Sequence, residues 1–451
     1  MPVPLFHSAG RIVAKSGENG KPSEPVRITE LTVEGFKSIE KLSLPIKPLT
    51  ILAGANSSGK SSAIQPILLL KQTLEATYDP GPLLLNGPNV SFTEVAQFVC
   101  KSGATPASAE LTFGFSVGAS GDGCHIRLKK NAASPLELLD VRVRFRGHEY
   151  LFQEGEMKWE ESPFAPSFTP AVLKAVSSLS TSVRMKRNRF LIGSFIQSPG
   201  DTTNWIPFWI GHEQLERAIS EVIHVPGLRG NPLRNYPISA VGSRFTGTFE
   251  KYVASIVVNA DKKFIDSAGG DLLALGLTWK VEARRVDDTQ VEIKVGRLPK
   301  PARGGANDLV SIADVGFGVS QTLPVVVALL AAKPGQFVYI EQPEIHLHPR
   351  AQVAMAGLLA RAANRGVQVV IETHSSLLLL GVQRLVATGE IDPAKILLHW
   401  FNRDEITGLS NVTTRELDEA GRFGDWPEDF DDVTLEAQQS WLDAAEQKLA
   451  R

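Results

Sequence analysis

The sequence predicts an α/β protein: a mixed sheet with flanking helices, joined to an antiparallel β lobe and carrying an irregular α/β insert. Three observations predict it. The short apolar run Leu49–Ala53 stops at Gly54 and leads into helical spacing from Lys60 to about Ala76. Residues 86–160 hold repeated strand-like segments, and between 319 and 371 helix and strand patterns alternate closely, as in a layered sheet with helices packed on it.

Taken in order, Ile28, Leu31 and Val33 mark a first strand, Gly35-Phe36-Lys37-Ser38 a turn, and the next stretch ends at Leu44. Leu49–Ala53, bounded by a glycine turn, suits a strand buried on both faces. Ile64, Ile67, Leu68, Lys71 and Leu74 then recur at helical spacing, with Pro66 removing one N–H donor inside the helix. Strands are expected at 110–117, 125–129, 139–145 and 149–152. The region 155–245 reads as irregular and Pro-rich, with helices around 170–180 and 211–222. A helix near 246–263, a strand pair near 277–295 and a Pro/Gly/Arg loop at 299–307 follow. After them come helix 319–332, strand 337–341, helix 350–364, strand 367–371 and a strand at Ile396–Phe401. The expected division is a tail at 1–25, the first part of a head domain at 26–150, the insert at 151–265, the second part of the head at 266–400, and a C-terminal extension at 401–451.

Composition limits the function classes. With 43% apolar and 21% charged residues in 451, the chain is that of an ordinary soluble globular protein and not a disordered one. Forty-seven basic against 49 acidic side chains leave a net charge of −2, which excludes a globally basic nucleic-acid coat but not a local basic patch. Cys100 and Cys124 cannot form a disulfide framework, nor a zinc site alone, and point to a reducing compartment. The longest apolar runs, Leu323–Ala332 and Leu377–Val382, are about half of the roughly 20 residues a spanning helix needs, and residues 1–25 lack an apolar signal region. A cytoplasmic protein with no membrane segment is expected.

The strongest motif is Gly54-Ala55-Asn56-Ser57-Ser58-Gly59-Lys60-Ser61, a full GxxxxGK[ST] match between a buried strand and a helix. Glycines let the backbone curl so that successive N–H groups face a β-phosphate, and the helix N-terminus adds partial positive charge. Lys60 can reach the β- and γ-phosphates, Ser61 can ligate Mg²⁺, and Ser62 follows in the first helical turn. The rival reading is a Gly/Ser-rich turn that merely caps a helix. A second element, Phe337–Ile340, is an apolar strand ending in Glu341-Gln342-Pro343-Glu344. A carboxylate at the end of a buried strand beside such a loop is the expected Mg²⁺-side acid, and Glu341 takes that place; capping of the next turn is the alternative.

Together with His374, these elements resemble the head domain of ABC-type ATPases of the SMC-like branch. The run Ile340-Glu341-Gln342-Pro343-Glu344-Ile345-His346-Leu347-His348-Pro349, then Glu372-Thr373-His374-Ser375, is similar to bacterial ATPases with an overcoming-lysogenization-defect-type (OLD-like) domain, many of which act in anti-phage systems. Gly35-Phe36-Lys37-Ser38-Ile39 matches that family's opening, and Asp425-Trp426-Pro427-Glu428-Asp429-Phe430 resembles the ending of a subgroup. The resemblance covers roughly 26–135 and 220–435. It implies an ABC-ATPase-type head binding ATP and Mg²⁺, with His374 as the switch histidine at the γ-phosphate. It also places Gly316-Phe317-Gly318-Val319-Ser320-Gln321 where the signature motif falls. There Gly318 and Ser320 would meet the γ-phosphate held by a partner head, giving a homodimer or higher homo-oligomer; a plain helix cap is the rival. The departure is Gln342, where the family usually has the glutamate that activates water. A neutral amide orients water but cannot accept its proton. Glu344 or His346 are substitutes, and slow or partner-triggered hydrolysis is expected. His348 stands where transporters have the D-loop aspartate.

Arg184, Lys186, Arg187 and Arg189 form one basic cluster, and Arg284, Arg285, Lys294, Arg297, Lys300 and Arg303 a scattered second. Each is either a nucleic-acid contact or a solvated face. Leu228–Tyr236 resembles a subgroup segment whose arginines either bind nucleotide or pin a loop to the ATPase lobe. The acidic residues Glu428, Asp429, Asp431 and Asp432 read as a solvated face or interaction tail, and no toprim-like carboxylate set is evident, so any nuclease would be a separate effector. Four functions compete: an ATP-gated defence switch, a DNA-repair or chromosome-associated ATPase, a transporter subunit, and a non-hydrolysing scaffold. The lack of long heptads weighs against the second, and Gln342 with His348 against the third.

Overall fold

Three consecutive apolar strands need a sheet covered on both faces, and the chain supplies one. In this computed structural model residues 26–102, 105–106, 110–130, 136–158, 162, 183–198, 201–208, 212–242, 244–298, 308–424 and 439–442 are described. The first half contains β1 (Ile28–Phe36), β2 (Ile39–Pro45), β3 (Leu49–Gly54), α1 (Lys60–Glu75), β4 (Glu110–Val117), β5 (Asp122–Lys129), β6 (Glu137–Phe145) and β7 (His148–Phe152). Then come β8 (Gly155–Met157), β9 (Val183–Asn188), β10 (Leu191–Ser198), β11 (Asp201–Phe208), α2 (His212–Ser220), β12 (Ile223–Val225), α3 (Val253–Asn259) and α4 (Lys262–Ala274). The last third holds β13 (Val281–Arg285), β14 (Gln290–Gly296), β15 (Leu309–Ser311), α5 (Phe317–Ala331) and β16 (Phe337–Glu341). It closes with α6 (Pro349–Asn364), β17 (Gln368–Thr373), α7 (Ser376–Ala387), β18 (Ile396–Arg403) and β19 (Ser410–Arg415).

The central six-stranded sheet has the order β12-β16-β17-β3-β18-β19 and is parallel except for the β18–β19 hairpin. Alternate side chains go to opposite cores, as the two-residue period of a strand requires. Leu49, Ile51, Val338, Ile340, Val369 and Ile371 pack with α5, α6 and α7, while Leu52, Phe337, Tyr339 and Val370 pack with α1 and the β lobe. That lobe is a six-stranded antiparallel sheet in the order β2-β1-β4-β5-β6-β7.

Two stretches differ from the sequence reading. Instead of irregular chain, β8–β11 form a four-stranded antiparallel meander, and β9 alternates buried Val183 and Met185 with exposed Arg184 and Lys186. The positive charges on its outer face hide that two-residue period. The helix expected at 246–263 is broken, because Asp261 accepts the Phe264 N–H at 2.8 Å and caps a new helix, α4. The tail 1–25, the helix expected at 170–180, the loop 299–307 (with Lys300 and Arg303) and the segment Asp425–Phe430 with its acidic neighbours lie outside the described residues. Among the described residues no helix is long and apolar enough to cross a membrane.

Candidate functional site

The site forms at the carboxyl edge of the parallel strands, where β3 turns into α1. Gly54 leaves β3 with φ 137°, beside the Phe401 carbonyl of β18. Ser57 and Gly59 also adopt left-handed φ, 61° and 106°, and Gly59 is the N-cap of α1. This curl, followed by the unpaired N–H groups of a helix's first turn, is the geometry of an anion cradle. The loop opens on a cleft of about 810 Å³ lined by Asn56 to Ser62, by Lys37 and Gln65, and by Gln342, Glu372 and His374 from the ends of β16 and β17.

Within the loop, the Lys60 ammonium donates to the carbonyls of Gly54 (3.0 Å) and Ala55 (2.6 Å) and lies 3.4 Å from Ser58 Oγ. Burial lowers its pKa, opposed by the charges of Glu372 and Glu344. Ser61 Oγ donates to both oxygens of Glu372, at 2.8 and 3.0 Å. The Tyr339 hydroxyl donates to the same carboxylate at 2.9 Å. Burial pushes the Glu372 carboxyl up, against the Ser61 and Tyr339 hydrogen bonds and the Lys60 charge.

Glu341, the expected Mg²⁺-side acid, ends β16 but does not line the cleft. Its Oε1 lies 3.1 Å from His224 Nε2 and its Oε2 accepts the Gly227 N–H at 2.9 Å. Burial pushes this carboxyl up as well, but His224, Gly227 and Arg229 outweigh it and hold it below its ordinary value. Strand order explains the difference. β17 lies between β16 and β3, and Glu372 pairs in register with Glu341, so Glu372 is one strand nearer the loop. The sequence signal for Glu372 is its place two residues before His374 in Glu372-Thr373-His374-Ser375, which by itself assigns it no role.

Gln342 lines the cleft in a left-handed conformation (φ 44°), its N–H donating to the Glu372 carbonyl at 2.8 Å. Glu344 is buried behind it and accepts from Thr373 Oγ1 (2.7 Å) and the His374 N–H (2.9 Å), so it fixes the β17 end and does not face the cleft. His374 lines the cleft, and burial together with Lys60 lowers its pKa, opposed by a hydrogen bond with the Gly54 backbone. His346 is exposed, with its ring 5.9 Å from that of Phe317, and His348 caps α6.

Neither Gly318 nor Ser320 lines this cleft. Ser320 is buried and its hydroxyl turns back to the Phe317 carbonyl at 3.1 Å, leaving Gly316 and Phe317 as the exposed start of α5. Of the two arginines at 228–236, Arg229 is buried and bridges the carbonyls of Gln321 (3.0 Å), Glu341 (2.7 Å) and Gln342 (3.3 Å). It pins its loop, the second of the two sequence readings, and burial lowers its pKa to about 10. The basic clusters are partly paired with acids locally. Arg184 pairs with Glu156 (3.1 Å), Arg187 with Asp79 (2.9 Å), Arg284 with Glu292 (3.6 Å) and Lys294 with Glu292 (3.5 Å).

The segment running from before α5 into α7 also matches a family model. It is described as "AAA domain, putative AbiEii toxin, Type IV TA system" and spans residues 302–380. No curated protein matches the chain. Among solved structures, the chain is similar to an SMC head bound to the C-terminal winged-helix domain of ScpA, at 13% identity, 87% of this chain, 99% of the other and TM-score 0.48. It is similar to the SMC head domain of Thermotoga maritima at 13% identity, 86% and 98% coverage and TM-score 0.39. A third likeness is to the SMC head with coiled coil and joint from Pyrococcus yayanosii, at 11% identity, 87% and 98% coverage and TM-score 0.43. The chain has a mixed α/β architecture, with the acidic strand β16 one place removed from β3, the strand that leads into the Gly54–Ser61 loop.

Proposed function

We propose that this chain is an ATP-gated switch: it binds ATP with Mg²⁺ at the Gly54–Ser61 loop and hydrolyses it slowly. The observation that carries the reading is the left-handed loop between β3 and α1, with Lys60 inside it and Ser61 against a strand-end carboxylate. Hard oxygen donors of this kind suit Mg²⁺, which would be held by the Ser61 hydroxyl, an acid and the nucleotide. Mg²⁺ supplies charge neutralisation on the phosphates when bound. Gln342 and His374 both line the cleft, which supports a role for Gln342 in orienting water and for His374 at the γ-phosphate; neither Gln342 nor the buried Glu344 offers an exposed carboxylate to take a proton. Two heads would complete each site, with the start of α5 contributed by the second copy. The resemblance to OLD-like ATPases and the toxin–antitoxin name of the matching family model support a defence role, acting through a separate, nuclease-like effector. The longest helices among the described residues have 16 residues, which supports a switch over an SMC-like chromosome or repair machine with long arms. Because Gln342 is no base, a non-hydrolysing scaffold is the second reading.

The test is ATP binding and turnover by purified protein, with and without DNA. Wild type is expected to bind ATP and turn it over slowly, Lys60→Ala to lose binding, and Gln342→Glu to raise turnover by about a hundredfold, the range of general-base assistance. Rapid wild-type turnover that survives Lys60→Ala would refute the site. Binding without any turnover in wild type would select the scaffold.

A further inference from the structure

The two strand-end acids of this head have exchanged the places their order along the chain suggests. Glu341 follows an apolar strand and is followed by Gln342-Pro343, which marks it as the acid of the site, yet both its oxygens are spent elsewhere. His224 Nε2 sits at 3.1 Å from one and the Gly227 N–H at 2.9 Å from the other. His224 is itself 2% exposed, hydrogen-bonded through Nδ1 to Asn89 (3.1 Å) and stacked on Tyr339 with ring centroids 5.5 Å apart. Arg229 takes the Glu341 carbonyl as well. Glu341 does not line the cleft, whereas Glu372 does, with both oxygens on Ser61 and one on the Tyr339 hydroxyl.

We infer that Glu372 is the carboxylate that, with Ser61, holds the divalent cation of the bound nucleotide, and that Glu341 is a positioning residue anchoring the 224–229 loop. The inference rests on the ATP–Mg²⁺ reading above and assigns its metal-side acid. Tyr339 orients Glu372 from beneath, and that contact explains a hydroxyl on the buried stretch Phe337–Ile340, whose other side chains are apolar. The oxygen set fits a hard cation: a hydroxyl and a carboxylate already in mutual contact need only part to admit one. Glu341 lacks that freedom, because moving it would strip a buried histidine and a backbone N–H of their acceptor.

The experiment is a titration of the full chain with a fluorescent ATP analogue at fixed Mg²⁺ concentrations from zero upward, with thermal melts to establish folding. Glu372→Gln should raise the Mg²⁺ concentration needed for tight nucleotide binding by about tenfold or more, the scale of losing a metal-site partner. Its Mg²⁺-free binding should stay within about threefold of wild type, since a factor of three is well under 1 kcal/mol. Glu341→Gln should leave the Mg²⁺ dependence in place and lower the melting temperature. Should Glu372→Gln fail to fold, Glu372→Asp keeps the charge but withdraws it by one methylene, and a Mg²⁺ midpoint unchanged from wild type in that variant would overturn the assignment. A shifted midpoint in Glu341→Gln with none in Glu372→Gln, or no shift in either, or equal shifts in both, would likewise overturn it. Failure of wild type to bind the nucleotide at all would instead overturn the ATP reading.

Discussion

Gly54 has two separate reasons to be glycine, and they can be measured apart. Its φ of 137° is one that L side chains rarely adopt, and a Cβ there would stand 2.0 Å from the Phe401 carbonyl oxygen of the neighbouring strand. Gly81 has φ 91° but open space around it. Gly81→Ala should therefore cost only backbone strain, about 1 kcal/mol, and Gly54→Ala strain plus a backbone clash, about 3 kcal/mol or more. Urea denaturation of the two variants checks this, and similar costs for both would show that the sheet edge gives way at little expense. The glycine, the lysine and the serine of this loop are legible in sequence because their geometry is local. Glu372 is not, because which of two strand-end acids reaches Ser61 depends on β17 lying between β16 and β3, a non-local fact.

At the scale of elements, the β18–β19 hairpin ties the central sheet to the β lobe through His399. This residue is fully buried, with Nε2 2.9 Å from the Pro45 carbonyl and Nδ1 2.9 Å from Thr414 Oγ1. A carbonyl only accepts, so Nε2 carries the proton and Nδ1 accepts from the threonine; the neutral ring is fully satisfied, and a second proton would place an unpaired charge in the core and force the threonine hydroxyl to turn from donor to acceptor. Burial accordingly depresses its pKa from 6.5 to about 4, against the Pro45 hydrogen bond. The unfolded chain then binds more protons than the folded one between these values. The contribution is whole above pH 6.5 and is lost as the pH falls toward 4, about 3 kcal/mol in all at 1.36 kcal/mol per pKa unit. His374 and His125 are shifted in the same direction, also mainly by burial, and add to the slope. His399→Gln should start less stable at pH 7.5 but lose less on acidification to pH 4.5, as read from urea midpoints at the two pH values. An unchanged slope would mean the hairpin opens before the ring is protonated. The strand itself was readable as a run from Ile396, but β19 was not: Ser410–Arg415 is polar and largely exposed, so it has no periodicity of its own and is a strand because β18 offers it a partner. The β9–β11 meander was hidden in a similar way, by basic residues on the outer face of an alternating strand.

For the whole molecule, the distribution of exposed apolar side chains bears on how the head works. Phe317 at the start of α5 is 51% exposed, Leu228 beside the end of β16 is 88% exposed, and Ile406 in the β18–β19 turn is 94% exposed. Phe317 opens a helix, while Leu228 and Ile406 sit on the loops that follow β12 and β18 at the carboxyl edge of the parallel sheet, the edge on which the P-loop cleft opens. That cleft is lined by the loop, Glu372, Gln342 and His374 but by no residue of the α5 start. A second copy laid across this edge would cover the apolar residues and bring the Gly316–Gly318 turn over the nucleotide. Phe317→Arg is the variant to make, because the side chain is half exposed and the aromatic ring beside it is that of the exposed His346. Binding of ATP to single chains should be unchanged. The ATP-dependent dimer should weaken by about thirtyfold or more, the loss of one interface anchor of about 2 kcal/mol, with turnover falling alongside it. Sedimentation velocity with a slowly hydrolysed ATP analogue reads the first effect. If Phe317→Arg still dimerised on ATP like wild type, the α5 start would not form the contact between heads, and the signature role of the Gly316–Gln321 segment would have to be given up.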